Sequence, residues 1–164
     1  MRKALEVDDK NIDAILKLSE VLLKREKKEA ALQQAVAAVN LDTSNYLAYL
    51  RLANALQMLG NFSDALMNYN RATELCPGSL EAWINKATMR GVLNDREGAL
   101  RDFEHAATIN PKSLAAILGR AKTLNDLGRE TEALAVFEDA ATLSPNDIEA
   151  LFGKSVLLEK AGRT

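Results

Sequence analysis

A spacing of 34 residues organises this sequence, because the same order of apolar, small and turn-forming residues returns at that interval. In residues 46–79 an apolar stripe is followed by a break at Gly60 and Asn61, then by a second apolar stripe and by Pro77. Apolar residues that recur about every 3.6 positions indicate amphipathic helices, and Gly and Pro mark where helices end. Each unit is therefore predicted to contain two helices joined by a short turn.

Two further copies of this pattern follow at the same spacing. The first copy comprises Trp83, Ala87, Asn94, Ala99, Leu100, Phe103, Ala106, Ile109 and Pro111. The second comprises Ile117, Ala121, Gly128, Ala133, Leu134, Phe137, Ala140, Leu143 and Pro145. A residue that favours the N-cap position precedes the first helix of each unit, and these residues are Asn11, Asn45, Ser79, Ser113 and Asp147. Their side-chain oxygens can accept hydrogen bonds from the first helical turn, so each is predicted to fix a helix start.

The repeat predicts a single array over residues 1–164. Whole units are predicted at 12–45, 46–79, 80–113 and 114–147. Residues 1–11 are predicted to be the end of a preceding repeat, because Ala4 and Val7 lie at the register of a second helix. Residues 148–164 supply only the first helix of a further or capping repeat. This last helix is apolar over more than one face, so we expect it to self-associate or to fray.

Small residues recur at two registers of the second helices. They are Ala65, Ala99 and Ala133 at one register, and Ala38, Ala72, Ala106 and Ala140 at the other. Small side chains at a fixed register indicate that neighbouring helix backbones approach closely. The first unit departs from the pattern, because Glu26 replaces the turn glycine, Ala35 the aromatic residue and Thr43 the late proline.

The period and the order of bulky, small, Gly, Ala, aromatic, Ala and Pro residues resemble the tetratricopeptide repeat. This resemblance implies an all-α fold, namely a right-handed α-solenoid (the TPR superhelix) in which antiparallel helix hairpins stack on one another. It also implies that the first helices line the concave side of the solenoid. In this family, ligand contacts tend to come from repeat positions 2, 5, 6, 9, 12 and 13, counted from the first residue of each unit.

Carrying these positions over by register gives a candidate partner-binding face. Its residues are Leu50, Arg51, Asn54, Ile84, Asn85, Leu118, Lys122 and Phe152. Position 5 is apolar in every copy, so Leu50, Ile84 and Leu118 are predicted to be partly exposed and to form the floor of a groove. The alternative is that position 5 completes the interior. The chaperone-tail clamp of this family requires three cations, which Leu50, Ala115 and Gly119 replace here, so a carboxylate tail is not the expected ligand.

Charge and apolar content narrow the classes of partner. The net charge of −2 and the pI near 5.5 give no electrostatic reason to bind nucleic acid. No apolar run approaches the roughly 18 residues that span a bilayer, and the N-terminus lacks an apolar signal core. Cys76 is the lone cysteine and cannot form an intramolecular disulfide. The expected location is the cytoplasm, and neither nucleic-acid binding nor membrane insertion is expected.

The sequence contains no catalytic, metal-binding or cofactor-binding motif. His105 is the only histidine, which excludes multi-histidine metal sites. Asp102 precedes it by three residues, but both lie in the polar stripe of a helix, so we expect a surface pair rather than a catalytic one. No Gly-rich phosphate loop is present. We therefore expect neither enzyme activity nor a cofactor.

The sequence predicts a protein–protein interaction scaffold that binds an apolar or amphipathic protein or peptide segment in a concave groove. Two alternatives remain open. One is a structural or oligomerisation module whose ends self-associate or continue into a larger repeat protein. The other is the targeting array of an enzyme whose catalytic domain lies outside this sequence.

Overall fold

The structure, a computed structural model, describes residues 11–162. Its helices are α1 (Ile12–Lys24), α2 (Lys28–Leu41), α3 (Tyr46–Met58), α4 (Phe62–Leu75), α5 (Leu80–Val92), α6 (Arg96–Ile109), α7 (Leu114–Asp126), α8 (Glu130–Leu143) and α9 (Ile148–Lys160). No strand occurs in this range, so the predicted all-α repeat fold is confirmed. The predicted end of a preceding repeat at 1–11 lies, apart from Asn11, outside the described residues.

The first helix of every hairpin begins where its N-cap residue predicts. The backbone N–H groups of Ala14, Ala48, Ala82, Ala116 and Ala150 donate to the side chains of Asn11, Asn45, Ser79, Ser113 and Asp147, respectively. Each bond satisfies one of the backbone donors that a helix start leaves without an intrahelical partner. None of the helices within residues 11–162 has both the length and the apolar character needed to cross a membrane.

The chain divides into two compact units, Met1–Gly78 and Ser79–Thr164. In the first unit α1 pairs with α2 and α3 with α4, and α3 also packs against α1 and α2. In the second unit α5 pairs with α6 and α7 with α8; α7 packs against α5 and α6, and α9 against α7 and α8. Consecutive first helices are therefore neighbours within each unit. The single array over residues 1–164 stays a prediction.

The alanines at both predicted registers of the second helices are wholly buried. Ala65, Ala99 and Ala133, and likewise Ala38, Ala72, Ala106 and Ala140, are 0% exposed. Close packing of neighbouring helices at these registers is confirmed, because a larger side chain would have no space there.

The turn inside each hairpin uses the left-handed backbone conformation. The φ angles are 83° at Gly60, 75° at Gly128, 66° at Asn94 and 57° at Glu26. In this conformation the Cβ atom crowds the following carbonyl at a cost of roughly 1–2 kcal/mol, and asparagine tolerates the conformation better than most residues. The glutamate that replaces glycine in the first hairpin therefore holds a strained turn.

Glu26→Gly is expected to raise the free energy of unfolding by about 0.5–1 kcal/mol, because relief of the strain exceeds the entropy that glycine adds to the unfolded chain. Asn94→Gly is the matched control and should gain less. Urea unfolding of both variants measures the difference. Equal changes in the two variants would show that the turn at Glu26 is not strained.

Candidate functional site

The first helices of the second unit line two adjoining cavities. One has a volume of about 430 Å³ and is lined by Ile84, Thr88 and Leu118 among others. The other has a volume of about 340 Å³, and its lining includes Phe152 and Val156. Three residues line both cavities, namely Lys122, Asp126 and Glu149. We call the two cavities together the second-unit groove.

Two glycines allow aromatic rings to reach the floor of the second-unit groove. Phe103 lines the larger cavity and Phe137 the smaller one. A Cβ atom added to Gly119 would lie 2.2 Å from Cε1 of Phe103, and one added to Gly153 would lie 2.4 Å from Cε1 of Phe137. These distances are far below van der Waals contact, so each ring occupies space that only glycine leaves open.

The charged residues of the groove are unequally partnered. The Nζ atom of Lys122 forms an ion pair with Oε1 of Glu149, which connects α7 to α9. Both side chains are about half exposed, so the pair adds little stability but fixes where the two charges lie. Asp126 is exposed, and its carboxylate has no ion pair or hydrogen bond with another described residue. The groove therefore carries two carboxylates and one ammonium group.

The expectation that the position-5 residues are partly exposed is wrong for two of the three. Leu50 is 1% exposed and Leu118 is 7% exposed, whereas Ile84 is half-buried. Position 5 is covered because α3 and α7 each pack against both helices of the preceding hairpin as well as against their own partner. Leu50 therefore belongs to the protein interior, and Leu118 supports the groove from below.

The other predicted site residues of the second unit divide by exposure. Lys122 and Phe152 are exposed and line the second-unit groove. Asn85 is half-buried and does not belong to the described lining of either cavity. The structure thus brings Ile84, Leu118, Lys122 and Phe152 together along one face.

In the first unit the two predicted polar residues are engaged within the protein. Arg51 pairs with Glu20 at 3.3 Å and lines a cavity of about 230 Å³ that Lys17 also lines. The Tyr69 hydroxyl lies 2.7 Å from Oδ1 of Asn54. The same hydroxyl lies 2.6 Å from Oε1 of Gln57. Because Tyr69 is 0% exposed, Asn54 and Gln57 together provide acceptors for a buried hydroxyl group, which gives Asn54 a structural role.

The sequence did not reveal a larger cavity on the second-helix side of the second unit. It has a volume of about 770 Å³, and its lining includes Glu104, Ile117, Arg120 and Leu143. The Nε atom of Arg120 is buried without a hydrogen bond. One feature of the sequence could have indicated this cavity: Arg120 stands at the repeat position that Leu52 occupies in the unit 46–79.

The predicted surface pair of Asp102 and His105 is wrong. Asp102 is 5% exposed, with Oδ1 3.4 Å from Nζ of Lys86 and Oδ2 3.1 Å from Nε of Arg90. The contact with Arg90 is close enough for an ion pair but is not aligned as a hydrogen bond. His105 instead packs on Trp83, with ring centroids 4.0 Å apart. Burial raises the pKa of Asp102 although both cations act to lower it.

Two models of the tetratricopeptide repeat match the sequence, one over residues 47–89 and the other over residues 84–148. Together they cover residues 47–148, which is more than half of the 164-residue chain. No curated protein sequence matches the chain significantly.

Solved structures share the fold at low sequence identity. YrrB, described as a TPR protein with an unusual peptide-binding site, is 20% identical over 98% of this chain and 83% of its own, with a TM-score of 0.81. PilF of Pseudomonas aeruginosa is 20% identical over 92% and 69%, with a TM-score of 0.85. MamA of Desulfovibrio magneticus RS-1 is 16% identical over 93% and 86%, with a TM-score of 0.84. Because both sequence models describe the same repeat and the helices of residues 11–162 form its hairpins, the chain belongs to the tetratricopeptide repeat family.

Proposed function

We propose that this chain is a protein-interaction scaffold whose second-unit groove binds an extended segment of a partner protein. The tetratricopeptide fold serves in general as a protein-interaction scaffold and is typically not an enzyme. The observation that carries the proposal is the continuity of the groove. Its two cavities share three lining residues, so one partner segment can occupy both.

The exposed apolar side chains of the groove supply the driving force for binding. Phe152 is 69% exposed, and Ile84 and Val156 are half-buried. A partner that covers these side chains gains about 25 cal/mol for each Å² of apolar surface removed from water. Buried side chains line the same cavities, with Phe103 beside Ile84 in the larger one and Phe137 beside Phe152 in the smaller one. They make the floor rigid, so little order has to be imposed on binding.

The predicted residues of the first unit have smaller roles in this proposal. Arg51 lines a cavity of the first unit with other charged residues, so we propose it as a polar contact for a partner at that cavity. Asn54 supports Tyr69, and Leu50 is buried, so neither is proposed to contact the partner directly.

A selection of random peptides displayed on phage, followed by affinity measurements with the selected peptides, tests the proposal. Phe152→Ser and Ile84→Ser should each weaken binding by about tenfold or more, because burial of such a side chain contributes roughly 1.5–3 kcal/mol. Circular dichroism should show unchanged helix content, since neither residue is fully buried. Leu143→Ser is the matched control, because Leu143 is 41% exposed and lines the other cavity.

The affinities of these variants show whether the selected peptides bind in the second-unit groove or on the second-helix side of the second unit. Selected peptides that lose affinity for the Leu143→Ser protein but not for the Phe152→Ser protein would place binding on the second-helix side and would refute the proposal. Peptides whose affinity responds to none of the three substitutions would refute it as well.

The exposed apolar residues at the start of α9 favour a second candidate, self-association. Ile148 is 83% exposed and Leu151 is 43% exposed, beside Phe152. A second copy that covered them would bury an unusually apolar surface. Sedimentation over a range of protein concentrations distinguishes this candidate, since it requires a mass that rises with concentration. The role of targeting array for an absent catalytic domain stays a prediction.

A further inference from the structure

Asp126 is the unpartnered charge at the junction of the two cavities. Of the three charged residues that line both cavities, Lys122 and Glu149 pair with each other. The Asp126 carboxylate has no ion pair or hydrogen bond elsewhere in residues 11–162. Lys122 lies one helical turn before Asp126, yet its ammonium group contacts α9 instead. The junction therefore presents one carboxylate to whatever occupies the groove.

The position of Asp126 in its helix reinforces this negative charge. Asp126 is the last residue of α7. The carbonyl groups at a helix C-terminus carry a partial negative charge, which favours a cation near the last turn. Both effects act in the same direction, so a cationic group of the partner is favoured at the junction and an anionic group is disfavoured.

The two cavities define what must flank that cationic group. Each has an aromatic ring in its floor, Phe103 in one and Phe137 in the other. Each ring fills the space beside a glycine, Gly119 or Gly153, so it is held in place as an aromatic surface. Apolar side chains suit both cavities, and the charge lies between them.

On these grounds we propose that the occupant of the second-unit groove is an extended peptide segment with one lysine or arginine between two apolar side chains. The cation contacts Asp126, and the apolar side chains enter the cavities on either side. This inference rests on the proposed function of the groove and adds the chemistry of its partner. The inference excludes an acidic segment and a carboxylate tail as the occupant.

The peptides selected on the wild-type protein provide the probes. We expect them to contain a lysine or arginine between two apolar residues. The tightest selected peptide is then synthesised with lysine, glutamine or glutamate at that place, and its dissociation constants are measured by fluorescence polarisation. The wild-type protein should prefer lysine over glutamine by about three- to fivefold, because the pair is solvent-exposed, and high salt should reduce the preference.

Exchange of charge on the protein identifies the contact. Asp126→Asn should abolish the preference for lysine, and Asp126→Lys should reverse it in favour of glutamate. Asp139→Asn and Asp139→Lys are the matched controls, because Asp139 is exposed, lies on α8 and lines the other cavity. These controls should keep the wild-type preference.

The possible failures are distinguishable from one another. Peptides that depend on Phe152 but bind equally well with lysine, glutamine or glutamate would overturn the inference and leave the proposed function standing. A preference for lysine that survives Asp126→Lys would also overturn the inference. If no selected peptide depends on Phe152 or Ile84, the proposed function fails and the inference fails with it.

Discussion

Asp102→Ala is expected to lower the free energy of unfolding by about 2–4 kcal/mol, because it leaves two largely buried cations without their shared counter-ion. The side chains of Lys86 and Arg90 are 10% and 22% exposed. Some compensation remains after the substitution. The Nζ atom of Lys86 lies 4.2 Å from the centroid of the Trp83 ring, and Nη1 of Arg90 lies 3.5 Å from Oδ2 of Asp95.

The control for Asp102→Ala replaces all three charged residues by the apolar residues that other repeats have at the same positions. Equivalent positions in other repeats hold Leu52, Leu56 and Val136. The triple variant Lys86→Leu/Arg90→Leu/Asp102→Val should be as stable as the wild type or more stable, because apolar residues of similar volume often replace a buried ion pair without loss. Urea unfolding measures both proteins. A triple variant that loses as much stability as Asp102→Ala would show that the charge cluster itself stabilises the fold.

Because the pKa of Asp102 is raised, the difference in stability between the wild type and the triple variant should depend on pH in a known direction. Burial raises the pKa in the folded state, so between the two pKa values the folded protein binds more protons at this site than the unfolded chain does. The contribution of Asp102 to the free energy of unfolding is therefore largest below the unfolded pKa and falls as pH rises through the folded pKa. The stability of the wild type relative to the triple variant should improve as pH falls through this window. The opposite trend would mean that Lys86 and Arg90 outweigh burial.

Gly119→Ala is expected to lower the free energy of unfolding by about 1–3 kcal/mol through overpacking. The added Cβ atom would lie 2.2, 2.4 and 2.7 Å from three atoms of the Phe103 ring. Phe103 is 6% exposed, so most of its surface is already packed against protein atoms that a displaced ring would have to move. Thermal or urea unfolding measures the loss, and the double variant Gly119→Ala/Phe103→Leu should recover part of it.

Gly91→Ala is the control for the effect of alanine on helix propensity. Gly91 lies within α5, and a Cβ atom added there would meet nothing within 4 Å. This variant should gain about 0.5–1 kcal/mol from propensity alone. If Gly119→Ala gains a similar amount, then the ring of Phe103 moves aside freely and the floor of the groove is not rigid.

Helix starts and close packing were predictable because short-range chemistry determines them. Asn45 caps α3 through its own side chain, so its effect is visible in the sequence without any tertiary information. The burial of Ala106 was equally predictable, because a small residue that recurs at a fixed register indicates that two helix backbones approach closely there. Register also brought Lys122 and Phe152 to the same groove, since both occupy first-helix positions of consecutive repeats.

Exposure and charge pairing were not predictable from the same pattern. The stripe that contains Leu50 looks wider than one helix needs, but coverage by two neighbouring helices is a tertiary property. The sequence pattern predicts that Asp102 lies on the surface. In the structure it is buried against Lys86 and Arg90, which lie on the other helix of its hairpin. Asp126 carries no motif, and its importance appears only because two cavities meet at it.

The fit between Phe103 and Gly119 bears on how such a chain can be recombined during evolution or by design. The ring belongs to one 34-residue repeat and the glycine that admits it belongs to the next, and Phe137 and Gly153 are divided in the same way. A crossover at the repeat boundary that joins a ring to a first helix without this glycine places the ring opposite a larger residue, such as the arginine at the register of Arg51. A segment that runs from the second helix of one repeat through the first helix of the next keeps each pair intact. The unit suited to duplication, deletion or grafting therefore begins at the second helix of a repeat, about half a repeat later than the unit that the 34-residue spacing defines.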